Sequence, residues 1–347
     1  MFDFADFIDF VEFAKRHREV GPRRYLRDYS DPFRKYSTRE FQERYRFTPE
    51  SVKSVILPLL APDLRKPTKR GLPFAPEIMV LLSLRYYATG SLQKLDFDVM
   101  NICQQSVSRI IAQVSLLIAS KMKDFVKLPS TENEINAVKQ KFYEVAHFPE
   151  VIGCIGCTHI KIRSPSSEEY RNSKGYFSIN VQAVTGPNLE FYDLVARWPG
   201  STDDSFIYEN SGIKQRLNSG KLKGVILGDS GYEVSSVLLT PFLSPNSIAQ
   251  ENYNRSLIET RNTVEKCFGV WKKRFPCLQV GMGMKVETVV AVICACATLH
   301  NIALSVDDIM PMYCEDINVQ NDAVATGENT NSNGCVVRQS LVDRFFC

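Results

Sequence analysis

Three acids in this 347-residue chain stand in contexts that suit chemistry. Asp229 closes the apolar run of VILGDSGY, where Ser230 and Gly231 turn the chain away and would expose a carboxylate at a strand end. Asp204 stands in WPGSTDDSF, where a strand gives way to a helix. Taken alone it is a helix-cap or first-turn acid that favours the helix dipole. Glu265 lies in TRNTVEKCFGVWKKRF, and on a helix of 3.6 residues per turn Arg261, Glu265 and Lys272 fall within about 40° of one another. That face offers one carboxylate flanked by two cations suited to phosphate, or else an ordinary surface ion-pair pattern. Hard oxygen donors of this kind hold Mg²⁺ or Mn²⁺.

A fourth segment, VIGCIGCTHIKI, spaces Cys154 and Cys157 as C-x-x-C, with His159 behind them. Structural zinc takes four ligands, and no second Cys/His pair stands nearby at zinc spacing. Strand alternation also sends the two thiols to opposite faces. The segment reads as a strand, and the cysteine spacing as incidental.

The elements that must position these residues follow from pattern and punctuation. VIGCIGCTHIKI, YFSINVQAVTG, LEFYDLVARWPG and KGVILGDSGY are short, β-rich and bounded by Gly, Pro or Asn. DDSFIYENSGIKQRLNSG is a polar helical stretch between the third and the fourth. Two long helices follow, NRSLIETRNTVEKCFGVWKKRF and KVETVVAVICACATLHNIALSV. Upstream, Ser37 or Thr38 caps one helix, and Thr48 followed by Pro49 starts another that Pro58 and Pro62 should end. APEIMVLLSLRYYATGS closes at Gly90, and a helix begins near Ser130 or Thr131. Between these, Val107, Ile110, Ile111, Val114 and Leu117 repeat at spacings of three and four. With Gln104, Gln105, Ser106, Ser108 and Arg109 polar at its start, that helix suits the second half of a helix-turn-helix, or plain bundle packing.

Composition sets bounds. Hydrophobic residues at 44% and charged residues at 23% are ordinary for a globular protein. No apolar run approaches the roughly 20 residues that span a bilayer, and the acidic start is unlike a signal peptide. Ten cysteines without secretory features imply reduced thiols. The net charge of +3 hides segregation: residues 15–46 hold eleven Lys/Arg against five acids, and residues from 306 onward carry seven acids against two arginines. A basic, tyrosine-bearing arm suits nucleic acid, or is simply solvated.

The order β-β-β-α-β followed by helices matches a ribonuclease H-like mixed-sheet core, in which acids at strand ends and on a late helix hold two divalent ions for phosphodiester cleavage. CTHIKI, YRNSKGYFSINVQAV, WPGSTDDS, LGDSGY, LLTPF and TRNTVEKCFGVWKKRF together resemble Harbinger-type DDE transposases and the nucleases derived from them. The likeness runs from about Val151 to Asn301, and more loosely from Phe33 to about Lys127. It implies an α/β endonuclease fold behind an all-α helix-turn-helix region, with Mg²⁺ or Mn²⁺ as cofactor and DNA as substrate. It further implies a nuclear location, with cytoplasm left open, and a Myb/SANT-like partner protein; self-association is also left open. No membrane is expected.

In that family the first strand reads I-D-[CG]-T-H and its Asp supplies a metal ligand; here Gly156 stands at that position. Asp203 stands where His is common. The expected catalytic and metal-binding set is therefore Asp204, Asp229 and Glu265. Of these, strand-end logic favours Asp229 as the second ligand and the family's H-D-S motif favours Asp204. Arg261, Lys272, Lys174, Gln105, Ser106 and Arg109 are the expected DNA or phosphate contacts, with Asn180 a further pocket candidate. His159 reads as structural rather than as a base. The expected division is an arm over 1–36, a helical DNA-binding region over 37–130, the endonuclease over 131–305 and an acidic disordered tail over 306–347.

Overall fold

The computed structural model describes residues 31–65, 74–91, 102, 104–163, 165, 167–220, 222–310 and 332–347. All but the last six residues of the expected basic arm lie outside that set. Helix α1 (Thr38–Tyr45) opens on a capping box, with Ser37 bonded to the Glu40 amide and Glu40 reaching back. Thr48 and Pro49 start the next helical stretch as expected, but Pro58 and Pro62 do not end it. A π turn over Val52–Ile56 widens the backbone, and Pro58 falls in the first turn of the segment that follows, α2 (Leu57–Leu64), where a missing amide costs little. α3 (Pro76–Thr89) ends at Gly90 with φ +67°, and a Cβ there would lie 2.1 Å from Val280 Cγ2, so only glycine fits. α4 (Gln104–Ser120) buries Val107, Ile110, Ile111, Val114 and Ile118, and α5 (Glu132–Ala146) is capped by Thr131.

The four expected strands form, with a short fifth, one mixed sheet of order β3-β2-β1-β4-β5. These are β1 (Val151–Lys161), β2 (Ser178–Thr185), β3 (Phe191–Pro199), β4 (Val225–Leu227) and β5 (Leu238–Leu239). β2 pairs antiparallel with both β1 and β3, whereas β4 runs parallel to β1 and β5 parallel to β4. β1 is thus central, and the β2–β3 hairpin and two short helices, α6 (Asp204–Glu209) and α7 (Gly212–Asn218), make the crossover to β4. One sheet face packs on α6 and α7 through Ile152, Ile155, Ile213, Leu217 and Ile226.

The other face packs on α8 (Ile248–Arg274) and α9 (Val286–Ser305). Asn301 of α9 clamps β3 by accepting from the Phe191 amide at 2.9 Å and donating to its carbonyl at 2.7 Å. α9 corrects one expectation, because by length and composition it is apolar enough to cross a membrane, yet most of it is buried inside this core. Nor does the packing break near residue 130. α4 lies on α9, and Tyr87 and Phe47 of the helical region meet Phe275 at ring distances of 6.5 and 6.4 Å, so the two expected regions share one apolar core. The acidic tail is corrected in part as well. Ser332–Phe345 form α10, whose Arg338 donates to the Thr240 and Pro241 carbonyls at 3.4 and 3.2 Å and stacks 4.0 Å from the centre of the Phe242 ring. A few anchors, not overall apolarity, hold this helix beside β5.

Candidate active site

The site grows from the register of β1 and β4. Cys154 stands opposite Leu227, the last residue of β4, and Asp229 follows two residues beyond it. Asp229 is held in the turn that follows β4, its Oδ1 accepting from the Gly231 amide at 2.9 Å. α8 crosses the same part of β1. Cys154 Sγ lies 3.5 Å from the Thr260 carbonyl, and Lys272 Nζ donates to Thr158 Oγ1 at 2.6 Å and to the His159 carbonyl at 3.2 Å. Cys154, Gly156 and Thr158 therefore face α8, as strand alternation requires.

Arg261 joins the two carboxylates on this side. Its Nη2 donates to Asp229 Oδ2 and to Glu265 Oε1, each at 2.8 Å. Sharing one nitrogen, the two oxygens lie at most 5.6 Å apart, twice 2.8 Å. Burial raises the proton affinity of Glu265; Arg261 and Lys272 pull it back down, while the nearby Asp229 adds to the rise.

Asp204 lies on the opposite face. Its Oδ1 accepts from Asn180 Nδ2 at 2.9 Å, and the same amide donates to the Thr202 carbonyl. Asn180 pairs with His159 across the ladder, so both point away from α8, together with Cys157. The Cys157 thiol lies 3.3 Å from the Tyr232 hydroxyl and is also bonded to Asp204. Burial lifts Asp204 above the ordinary carboxylate range; the Asn180 and Cys157 hydrogen bonds oppose that lift, and Asp229 and Asp203 reinforce it.

The expected meeting of three acids is thus corrected. Asp229 and Glu265 converge on Arg261, whereas Asp204 bonds Asn180 across β1. Among the described residues no group of three His, Cys, Asp or Glu side chains is placed to hold a metal. At Gly156 a Cβ would lie 3.3 Å from Val264 Cγ1 and 3.6 Å from Phe268 Cε2, so a side chain there must push Val264 aside by a few tenths of an ångström. Arg261 and Lys272 both turn toward the sheet. Lys174 is exposed in the turn leading into β2, and Gln105, Ser106 and Arg109 lie at the start of α4. His159 bonds Ser178 Oγ at 3.1 Å.

Two half-buried carboxylates suit one Mg²⁺ or Mn²⁺, whose remaining positions water and phosphate can fill. They do not supply the donors for a pair of ions. Sequence reasoning missed Tyr232 and Gln182. Gln182 is fully buried beside Cys157, with both amide atoms unpartnered among the described residues. The alternation of Ser178, Asn180 and Gln182 with apolar residues in β2 was the available signal for this polar face.

Comparison with known proteins fits this arrangement. A family model described as "DDE superfamily endonuclease" matches residues 155–301, the span that holds Gly156, both clustered carboxylates and Arg261. A human protein named "Putative nuclease HARBI1" is 33% identical over 255 residues, 72% of this chain and 73% of its own length. The frog Xenopus laevis counterpart is 29% identical over 73% of this chain and 74% of its own. An Arabidopsis thaliana protein named "Protein ALP1-like" is 27% identical over 69% of this chain and 63% of its own length. No solved structure matches the chain. The chain belongs to the Harbinger transposase-derived nuclease family within the DDE superfamily of endonucleases.

Proposed function

We propose that this chain is a divalent-metal-dependent DNA endonuclease built on a ribonuclease H-like core, working with a reduced carboxylate set and hence slowly. The observation that carries the reading is the shared Arg261 nitrogen, which joins Asp229 and Glu265 across 36 residues of sequence. The sheet order, with a parallel β4 that leads into Asp229 two residues past its end, supports the same reading. Asp229 and Glu265 would hold one Mg²⁺ or Mn²⁺, which when bound activates an attacking oxygen and offsets charge on a phosphate. The chain's own residues do the positioning. Lys272 ties α8 to β1 through Thr158 and the His159 carbonyl, fixing the distance between Glu265 and the strand. The Gly231 amide fixes the Asp229 rotamer. Asp204 stays behind the strand, where it accepts from the Asn180 amide.

Gly156 lowers turnover, because it contributes no ligand. Purified protein with Mn²⁺ is expected to nick supercoiled plasmid weakly, and Asp229→Asn is expected to remove that nicking. Nicking unaffected by Asp229→Asn would sink the proposal. A second reading, favoured by Gly156 and the close approach of Val264 to it, is a silent DNA-binding or protein-interaction factor on the same fold. It predicts no metal-dependent nicking at any protein concentration. Under either reading the exposed start of α4 meets DNA. Arg109→Ala should then weaken binding and reduce the salt slope by about 1, and an unchanged slope would return α4 to packing alone. A nuclear location and a Myb/SANT-like partner belong to the same proposal; co-purification from nuclear extract tests both.

A further inference from the structure

Arg261 fills the gap between Asp229 and Glu265. Its Nη2 is the one atom that both carboxylates hold, at 2.8 Å each. Only about an eighth of its side chain is exposed. The clamp also leaves the guanidinium under-used: Nε is buried without a partner among the described residues. An arginine devoted to one carboxylate would offer a two-nitrogen fork, but here one nitrogen serves two acids and another buried donor goes unpaired. Without a cation, two half-buried carboxylates this close would repel each other. The guanidinium therefore supplies the charge that keeps the pair assembled.

We infer that Arg261 is a resident counter-cation that competes with the divalent ion for the seat between Asp229 and Glu265, so that metal entry must displace its guanidinium. This inference rests on the proposed function, in which those two acids bind the metal. An ion touching both oxygens would occupy the space of Nη2, and two like charges at such short range exclude each other. The displaced guanidinium gains partners for its idle Nε in solvent or on a phosphate oxygen. Arg261 is on this account a positioning residue that keeps the carboxylates gathered while the metal is absent and sets how tightly the metal binds.

The test is titration of the full-length protein with Mn²⁺ alone, read by calorimetry and by the rise in melting temperature. The variants are Arg261→Gln, Arg261→Lys, Asp229→Asn and the Arg261→Gln/Asp229→Asn double. Arg261→Gln should melt lower than wild type without metal, yet bind Mn²⁺ about tenfold more tightly and gain more degrees from it. Arg261→Lys should fall between the two, and it keeps the experiment decisive should Arg261→Gln fold poorly. Arg261→Gln or Arg261→Lys binding no tighter than wild type, while Asp229→Asn still abolishes binding, overturns the competition and leaves the site intact. Binding by the double variant as tight as by Arg261→Gln overturns the competition and the proposed site together.

Discussion

On the α8 side of β1, Asp229 and Glu265 share a guanidinium; on the other side, Asp204 is met by an amide and a thiol, with the Tyr232 phenol just behind. Burial raises the proton affinity of both Glu265 and Asp204, but the opposing forces differ. Cations oppose it at Glu265, and neutral dipoles oppose it at Asp204. A carboxylate balanced by a cation can trade that cation for another at little change in net charge. A carboxylate balanced by neutral dipoles has no resident cation to exchange. On the proposed reading, the metal is therefore assigned to the α8 face and Asp204 to the support of the strand end.

The contrast breaks first on turnover. Glu265→Gln should cut Mn²⁺-dependent nicking by about 100-fold or more, as expected for loss of a residue that holds the reacting centre, whereas Asp204→Asn should cost less than about tenfold. Equal losses in a plasmid assay would put all three acids in one centre. Gly156→Asp comes next. It should raise nicking by roughly tenfold or more, while the crowding against Val264 lowers stability by about 1–3 kcal/mol in denaturant unfolding. An unchanged rate in folded protein would mean that position 156 does not open onto the pair. Lys272→Ala removes two bonds to β1 and should cost about 1.5–3 kcal/mol, measured the same way. A loss near zero would free Lys272 for phosphate.

The smallest effect sharpens the comparison by pH. Asp204 holds its proton more tightly folded than unfolded, so its contribution to stability falls as pH rises above the ordinary carboxylate range. Asp204→Asn keeps the acceptor for Asn180 and removes that fall. The variant should melt about 2 °C above wild type at pH 7, with the gap closing toward pH 4. A gap that widens on acidification would mean the charge on Asp204 is stabilising.

Much of this was legible before any coordinates. The four β-rich segments became β1 to β4 because their alternation and bounding turns agree with burial on both faces. Arg261 and Glu265 were readable as one helix face because 3.6-residue geometry is rigid. What the sequence withheld was depth and direction. Nothing in WPGSTDDSF says which side of β1 the following helix takes, so Asp204 read as a partner of Glu265. Lys272 read as a phosphate contact because a helical wheel does not reveal that its face turns toward Thr158. β5 is only two residues long, too short to show a period, and α10 hid in an acidic segment held by Arg338 and Val342.

Anomalous diffraction from crystals soaked in Mn²⁺ tests the central claim most directly. The account predicts a single peak within about 2.2 Å of oxygens from both Asp229 and Glu265, with the Arg261 guanidinium moved out of the gap. A peak beside Asp204 and Cys157, or Arg261 still bridging both carboxylates with no ion bound, would contradict it.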